Sequence, residues 1–370
     1  MNLSEVQIDR ASLLHNVAAM RTLIQSTTHL IAVVKGNAYG HGLNEVVTVL
    51  EPVVDGFQVD DMEELRRLRR CTLKRALVLG YVNLSEVEEA VSLGAELAVY
   101  DAERIPLIDA AGVRLGVRPK VHLKIDALLG RQGVTRGGLI AVLKALQGAD
   151  SIDVVAAYAH FANIEDTTDL DHARLQIEFF GECFAIIRAQ GFTNVGRHLS
   201  ATSGLMTVEG GNSLVRLGIG TYGMYPSDPL AERFAHLDLR PAMKWVSHLA
   251  QVKVLPAGHP IGYGLTYWTE ADQRIGIVPQ GYSDGYDRGL SGVGEVLVGG
   301  SRRRVLGRVA MNMFAIDLSE EPTAEVEDEV VLLGAQGSER ISAEEIAGRI
   351  GTINYEVTAR VESSLPRVVL

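Results

Sequence analysis

The sequence predicts an α/β chain: an N-terminal (β/α)8 barrel of the TIM type over residues 1–230, followed by a mainly-β domain over residues 231–370. Three observations lead there. The first two-thirds of the chain alternates short apolar runs with amphipathic segments, the pattern of βα units. Eight such runs can be counted, at residues 30–35, 56–59, 76–80, 97–100, 120–126, 154–160, 198–202 and 214–218, the number that closes a barrel. After Pro226 the pattern changes to short alternating strands, punctuated by Pro229, Pro241, Pro256, Pro260 and Pro279. A doubly wound open sheet is the rival, but no GxGxxG follows the first run.

Each element has a local reason. The first run, His29-Leu30-Ile31-Ala32-Val33-Val34, is apolar and β-branched, as a strand buried on both faces is. Lys35 ends it, a glycine-rich turn follows, and residues 43–50 have helical spacing. A helix over 62–68 is opened by Asp60 or Asp61. Another over 85–91 has Ser85 and Glu88 at capping-box spacing, and a third covers about 169–190. In the second domain strands are expected at 246–254, 274–278, 296–298, 305–309, 315–318 and 329–333. Gly299-Gly300-Ser301 reads as a hairpin turn and Arg302-Arg303-Arg304 as a solvated edge. Ser342 and Glu345 form a capping box for a short helix over 342–349.

Composition narrows the function classes. The 370 residues are 47% hydrophobic, as in a globular protein. Lys+Arg 35 against Asp+Glu 46 gives a net charge of −11, which argues against a nucleic-acid or anionic-membrane partner. No apolar run approaches the roughly 20 residues of a membrane span, and Met1-Asn2-Leu3-Ser4-Glu5 lacks a signal-peptide pattern. Cys71 and Cys183 make neither a disulfide framework nor a metal cluster, so no metal is expected and a cytoplasmic location is the simplest.

Barrels carry function at the C-terminal ends of their strands. There stand Lys35 and Tyr39 after the first run, Arg131 after the fifth, His160 at the end of the sixth, Thr202-Ser203 at the seventh, and Arg216 with Gly218-Ile219 at the eighth. A lysine held by an apolar strand would be desolvated, which favours the neutral, nucleophilic amine. A glycine-rich turn leading into a helix leaves backbone N–H groups for an anion. Thr202, Ser203, Gly218 and Ile219 fit the phosphate site of barrel loops seven and eight. A Schiff-base lysine beside an anion site is what pyridoxal 5′-phosphate needs.

The stretch Val33-Val34-Lys35-Gly36-Asn37-Ala38-Tyr39-Gly40-His41-Gly42 resembles the cofactor-lysine motif of the alanine racemase family, fold-type III pyridoxal-phosphate enzymes. Further motifs follow in the same order. They are Lys124-Ile125-Asp126 with Gly130-Arg131; His160-Phe161-Ala162; Arg216-Leu217-Gly218-Ile219 with Tyr222-Gly223; and Gly262-Tyr263-Gly264. Beyond these come Gly281-Tyr282-Ser283-Asp284-Gly285-Tyr286, Gly307-Arg308-Val309-Ala310-Met311, and Gly351-Thr352-Ile353-Asn354-Tyr355-Glu356.

The resemblance implies that Lys35 carries the cofactor and that Tyr39, Thr202, Gly218, Ile219 and Tyr355 hold its phosphate. It implies Arg131 at the phenolic oxygen and substrate carboxylate, His160 packed on the ring, and Arg216 at the pyridine nitrogen. Met311 would offer its backbone N–H to the substrate carboxylate. Lys35 and Tyr263 would be the two bases, Tyr263 coming from a partner subunit, so a homodimer with shared active sites is implied. Asp166, Tyr282, Arg288, Arg308 and Ile353 would line the substrate entrance. The implied activity is interconversion of L- and D-alanine, supplying D-alanine for peptidoglycan.

The chain departs from the family pattern at three places. Ala127-Leu128-Leu129 stands where Thr-Gly-Met is usual, Ala201-Thr202 where Asn-Ser is usual, and Asn312 where an Asp is usual. Lys124 matches a lysine that is carbamylated in some members. These departures leave a broader small-amino-acid (serine) racemase as the nearest rival. A non-catalytic pyridoxal-phosphate carrier would resemble the barrel alone. A decarboxylase of the same fold type would need a cysteine in the β domain, where this chain has none.

Overall fold

The computed structural model describes residues 3–165, 169–208 and 211–370. The chain divides into two units. One comprises Ser12–Lys35 and Val46–Arg240; the other comprises Met1–Ala11, Gly36–Glu45 and Pro241–Leu370. The first strand, β1 (Glu5–Ile8), belongs to the second of these.

The first unit is the barrel. It holds β2 (His29–Val33), β3 (Gly56–Val59), β4 (Arg75–Val78), β5 (Ala95–Val99), β6 (Lys120–Lys124), β7 (Asp153–Tyr158), β8 (Gly196–His198) and β9 (Leu214–Leu217). These eight strands run in the order β8-β7-β6-β5-β4-β3-β2-β9, every neighbouring pair parallel. Ser213 N–H donates to Arg197 O at 2.9 Å and Arg216 N–H to Ser200 O at 3.1 Å, which joins the two ends and closes the sheet. Ile31, Leu77, Ala98, Tyr158 and Leu214, from five of the strands, pack together as its core.

Two local expectations change and one, left open between two residues, is settled. The seventh run stops as a strand at His198, and Thr202 starts a helix, Thr202–Thr207. Small hydroxyl residues offer the backbone alternatives to the ladder, and Thr202 Oγ1 takes the N–H groups of Gly218 and Gly220 at 3.2 and 3.3 Å. Asp61, not Asp60, is the helix cap: it accepts from Glu64 N–H at 2.9 Å, while the Glu64 carboxylate accepts from Asp60 N–H at 2.9 Å. Ser85 caps nothing. A short turn, Leu84–Glu86, precedes the helix Val87–Ser92, and Glu88 pairs with Arg114 at 2.7 Å instead.

The second unit is a β domain. Its strands are β10 (Met243–His248), β11 (Gln251–Leu255), β12 (Pro260–Ile261), β13 (Tyr267–Trp268), β14 (Gln273–Val278) and β15 (Glu295–Val298). They continue with β16 (Ser301–Leu306), β17 (Phe314–Asp317), β18 (Glu329–Gln336), β19 (Glu339–Ile341) and β20 (Arg367–Val369). Most form one sheet in the order β11-β14-β17-β16-β15-β18-β10-β1-β20. The strand expected over 246–254 is therefore two strands. Leu249 N–H bonds Asp328 O at 2.9 Å and Ala250 N–H bonds Ile277 O at 2.8 Å, so the chain changes partners between them.

Gly299 and Gly300 have φ of +61° and +76° and connect β15 to β16, as the hairpin reading required. The strand after them is not a sheet edge, because β16 lies between β15 and β17; of its arginines only Arg304 is exposed. Arg302 bridges Glu295, Glu339 and Glu345 at 3.0, 3.0 and 2.6 Å, and the 7%-exposed Arg303 pairs with Glu321 at 2.7 Å. Ser342 accepts from Glu345 N–H at 3.1 Å, but the Glu345 carboxylate goes to Arg302 and Arg349, so only half the capping box forms. Among the described residues, no helix is long and apolar enough to cross a membrane.

Candidate active site

In the barrel unit the candidate residues follow the C-terminal ends of the strands. Val34 N–H donates to Gln58 O at 2.8 Å, which extends β2 to the residue before Lys35. The Tyr222 hydroxyl, from the turn after β9, donates to Val33 O at 2.7 Å and ties that turn to the same strand end. Lys35 is not desolvated as the sequence suggested. Its side chain is 45% exposed, and Nζ stands 3.8 Å from Asp60 Oδ1, a partner the sequence offered only as a helix cap.

Lys124 closes β6, and its Nζ donates to Gln132 Oε1 at 2.8 Å. Burial first, then the Arg131 and Arg216 guanidiniums, push its ammonium down to about 8. His160 follows β7. Burial, followed by the charges of Arg216, Arg131, Lys35 and Lys124, pushes its imidazolium down to about 3, so the ring is neutral at ordinary pH. The charges that act on His160 come from residues at the C-terminal ends of neighbouring barrel strands.

Arg131 is held by a compact loop. Asp126 Oδ1 accepts from Leu129 N–H at 3.1 Å and Gly130 N–H at 2.9 Å. Asp126 N–H bonds Val134 O at 3.0 Å and Val134 N–H bonds Lys124 O at 2.8 Å, returning the chain to β6. Leu128 turns through φ +61°, a left-handed conformation that a leucine adopts at a cost.

Arg216 lies on β9 and is buried. One terminal nitrogen donates to His198 Nδ1 and to His198 O at 3.2 Å; the other donates to Ala159 O at 3.1 Å and Leu199 O at 3.2 Å. Four acceptors meet four terminal N–H groups, and Nε–H is the donor left over. Burial lowers this guanidinium to about 10, so it stays protonated near neutrality. Thr202 and Ser203 are both buried. Thr202 already accepts from Gly218 N–H. The Ser203 hydroxyl donates to Glu165 Oε1 at 2.8 Å, a contact that nothing in the local sequence announces.

In the β domain the glycine-rich turn takes an unexpected form. Gly36, Asn37, Ala38 and Tyr39 have φ of +59°, +52°, +56° and +53°, one left-handed turn. The N–H groups of the three residues that follow it are taken. Gly40 N–H bonds Gly36 O, His41 N–H bonds Ala38 O and Gly42 N–H bonds Asn37 O, at 2.9, 3.0 and 2.9 Å. The turn brings the Tyr39 ring within 6.1 Å of the Tyr355 ring, from the helix Asn354–Ala359.

Tyr263 sits between β12 and β13. Gly262 and Gly264 on either side have φ of +76° and +73°, conformations open to glycine. The phenol so displayed is 73% exposed. A methyl on Gly264 would lie 3.3 Å from the Arg308 guanidinium, so a positive charge stands against this turn. Met311 and Tyr282 are neighbours: Tyr282 N–H bonds Ala310 O at 3.1 Å, and Ser283 N–H bonds Met311 O at 3.0 Å. Both side chains are exposed, as are Arg288 and Ile353. Asp166 lies outside the described residues.

Family models match both units of this geometry. The alanine racemase N-terminal domain matches residues 8–226 and the alanine racemase C-terminal domain residues 242–369. The chain belongs to the alanine racemase family. An alanine racemase of Syntrophobacter fumaroxidans is 38% identical over 358 residues, 96% of this chain and 94% of that protein. One from Symbiobacterium thermophilum is 35% identical, covering 98% of this chain and 95% of its own. The crystal structure of alanine racemase from D-cycloserine-producing Streptomyces lavendulae superposes with a TM-score of 0.94 at 33% identity, covering 100% of this chain and 97% of that one.

The family's members are isomerases that act on a small amino acid and depend on pyridoxal phosphate. Against the racemase pattern, each departure has a local account. Leu128 is a non-glycine at a left-handed position, tolerated because Asp126 caps the loop on both following N–H groups. Ala201 leaves the capping of the Gly218 turn to Thr202 alone. Asn312 donates through Nδ2 to Ser283 Oγ at 2.8 Å, and that hydroxyl bonds Met311 O at 2.8 Å. An aspartate could not donate there.

Proposed function

We propose that this protein racemises alanine with two bases, Lys35 on one face of the α-carbon and Tyr263, supplied by a second copy, on the other. The observation that carries this is the display of Tyr263. A phenol 73% exposed between two glycines of positive φ stands clear of its unit's core, which supports a base offered to a second copy. A head-to-tail homodimer with shared sites follows.

The residues fit pyridoxal phosphate. Arg216 keeps its Nε–H in reserve while its other four N–H groups are tied down. When bound through Lys35, the cofactor withdraws electrons from the substrate's α-carbon and acidifies its C–H. Tyr39, Tyr355, Thr202, Ser203, Gly218 and Ile219 would hold its phosphate, with the Ser203 hydroxyl turning away from Glu165. Arg216 offers Nε–H to the pyridine nitrogen. Arginine does not release its proton in proteins, so the nitrogen accepts a hydrogen bond and no more. Electron withdrawal is thereby moderated, which disfavours transamination.

Arg131 and the Met311 N–H bind the substrate carboxylate, and neutral His160 packs on the ring without adding charge. Tyr282, Arg288, Arg308 and Ile353 line the entrance, together with Asp166. D-Alanine made in this way serves peptidoglycan assembly. The test is racemisation over a panel of L-amino acids, with and without added cofactor, joined to borohydride reduction and peptide mapping. Cofactor-dependent turnover of alanine with the label on Lys35 is expected; a label elsewhere, or no turnover of any small amino acid, overturns the reading.

A further inference from the structure

Behind Arg216 lies a buried polar chain. Arg216 donates to His198 Nδ1, His198 Nε2 lies 2.9 Å from His122 Nδ1, and His122 Nε2 lies 2.8 Å from Glu96 Oε2. Glu96 also takes Arg75 Nε at 2.8 Å, and Lys120 Nζ approaches to 4.0 Å. The Tyr158 ring stacks on His198, centroids 4.7 Å apart and planes within 3°. Both histidines are fully buried. We propose that Glu96, acting through His122 and His198, is the positioning group that holds Arg216 in register with the cofactor's pyridine nitrogen; this rests on the role given to Arg216 above.

Hydrogen-bond direction fixes every proton in this polar chain. Arginine can only donate and an ionised carboxylate can only accept. With a pure donor at one end and a pure acceptor at the other, each proton between them has one place. His198 Nδ1 must be bare, so its proton is on Nε2 and points at His122. His122 Nδ1 must then be bare, so its proton is on Nε2 and points at Glu96. Both rings are neutral and carry the same tautomer. Burial, the first cause for each ring, lowers both imidazoliums, and Glu96 is held in its ionised form by His122 and Arg75 against the effect of its own burial.

A network with an amide or a hydroxyl at either end could point either way. An apolar layer would fill the barrel at less desolvation cost than a carboxylate and two imidazoles. What the chain adds is a fixed lone pair at His198 Nδ1, facing the guanidinium. With one terminal nitrogen held by that lone pair and the other by two carbonyls, the guanidinium plane cannot rotate, and Nε–H has a single direction. An amide at Glu96 could donate to His122 Nε2, reverse both tautomers and set an N–H of His198 against an N–H of Arg216.

The experiment uses the cofactor-loaded enzyme and the cofactor-free protein, labelled with 15N-histidine. The imidazole 15N shifts of His122 and His198, placed by their contacts to the Tyr158 ring, should both report neutral rings with the proton on Nε2. A proton on Nδ1 of either ring, or an imidazolium near neutral pH, overturns the proposal without any variant. Glu96→Gln should mix the tautomers and raise the ratio of transamination to racemisation about tenfold, at the low end of the roughly 10–100-fold effects of partners that orient a site ligand, with KM for alanine unchanged. Arg216→Glu should shift the ratio in the same direction. If Arg216→Glu shifts it and folded Glu96→Gln does not, the relay is overturned while the Arg216 role stands. If neither shifts it, both fall. If Glu96→Gln fails to fold, the wild-type tautomers decide alone.

Discussion

Substituting alanine at Gly40 and at Gly36 tests the left-handed turn that carries Tyr39. Both glycines have positive φ, +85° and +59°. At Gly36 a methyl group meets nothing within 4 Å. Only the left-handed conformation is penalised there, about 1 kcal/mol. At Gly40 the methyl would run into the backbone carbonyl of Thr358, in the helix Asn354–Ala359 that presents Tyr355. The Gly40 carbonyl is itself pinned by Arg367, through Nη2 at 2.9 Å and Nε at 3.2 Å. Relief requires the turn or the helix to move, at the risk of a charged hydrogen bond worth about 1.5–3 kcal/mol. Gly40→Ala should therefore destabilise by about 3–4 kcal/mol, a large part of the roughly 5–15 kcal/mol of a typical fold. Urea unfolding of both variants measures this, and pyridoxal-phosphate titration should show weaker binding for Gly40→Ala, whose two tyrosines are displaced. Equal midpoints for the two variants would refute the packing argument.

Other perturbations follow from the barrel unit and the sheet. Leu128→Gly should stabilise by about 1 kcal/mol, because it removes left-handed strain at an exposed side chain; a lower urea midpoint would contradict that. His160 is neutral in the folded state down to about pH 3, while an unfolded histidine takes up a proton near 6.5. The unfolded chain therefore binds more protons in that window, and stability should fall with acidification by up to about 1.4 kcal/mol per pH unit. His160→Gln should reduce the slope, to which the buried neutral His41, His122 and His198 also contribute, read from urea midpoints between pH 7 and 5; an unchanged slope would mean His160 has no share in it. Arg303→Met should be tolerated better than Glu321→Met, since the second leaves a buried guanidinium with a weakened partner set; thermal unfolding of the two decides.

Much of the barrel was legible because its strands are short apolar runs at the spacing of βα units, and burial of both faces forces that composition. Lys35, Arg131, His160 and Arg216 could be placed at strand ends by the same reading. The conformation of the turn after Lys35 could not. Ala38 and Tyr39 are left-handed against their own preference, and what holds them is the Gly36–Gly42 bonding together with Thr358 and Arg367, more than 300 residues on. The break between β10 and β11 was passed over: Ser247-His248 and Leu249-Ala250 interrupt the alternation there, but the positions of β14 and β18 are what reveal the change of partner. Glu96 lies one residue before the run read at 97–100, and His122 within the run read at 120–126. Their spacing from each other and from His198 has no sequence signature, although His122 and Lys124 alternate as two residues on one face of β6 do. Asp60, Gln132 and Glu165 were missed as partners because each pairs across the mouth, not along its own element.

The central claim, a two-base site completed by a second copy, is tested most directly by complementation. Lys35→Ala removes one base, and Tyr263→Phe removes the other while keeping its ring; each homodimer should lose racemisation, the second by about 10²–10⁴-fold. A purified heterodimer with one variant on each chain joins an intact barrel to an intact tyrosine at one of its two sites, and about half of wild-type activity should return. No recovery in confirmed heterodimers would mean that Tyr263 acts within its own chain or is not the base.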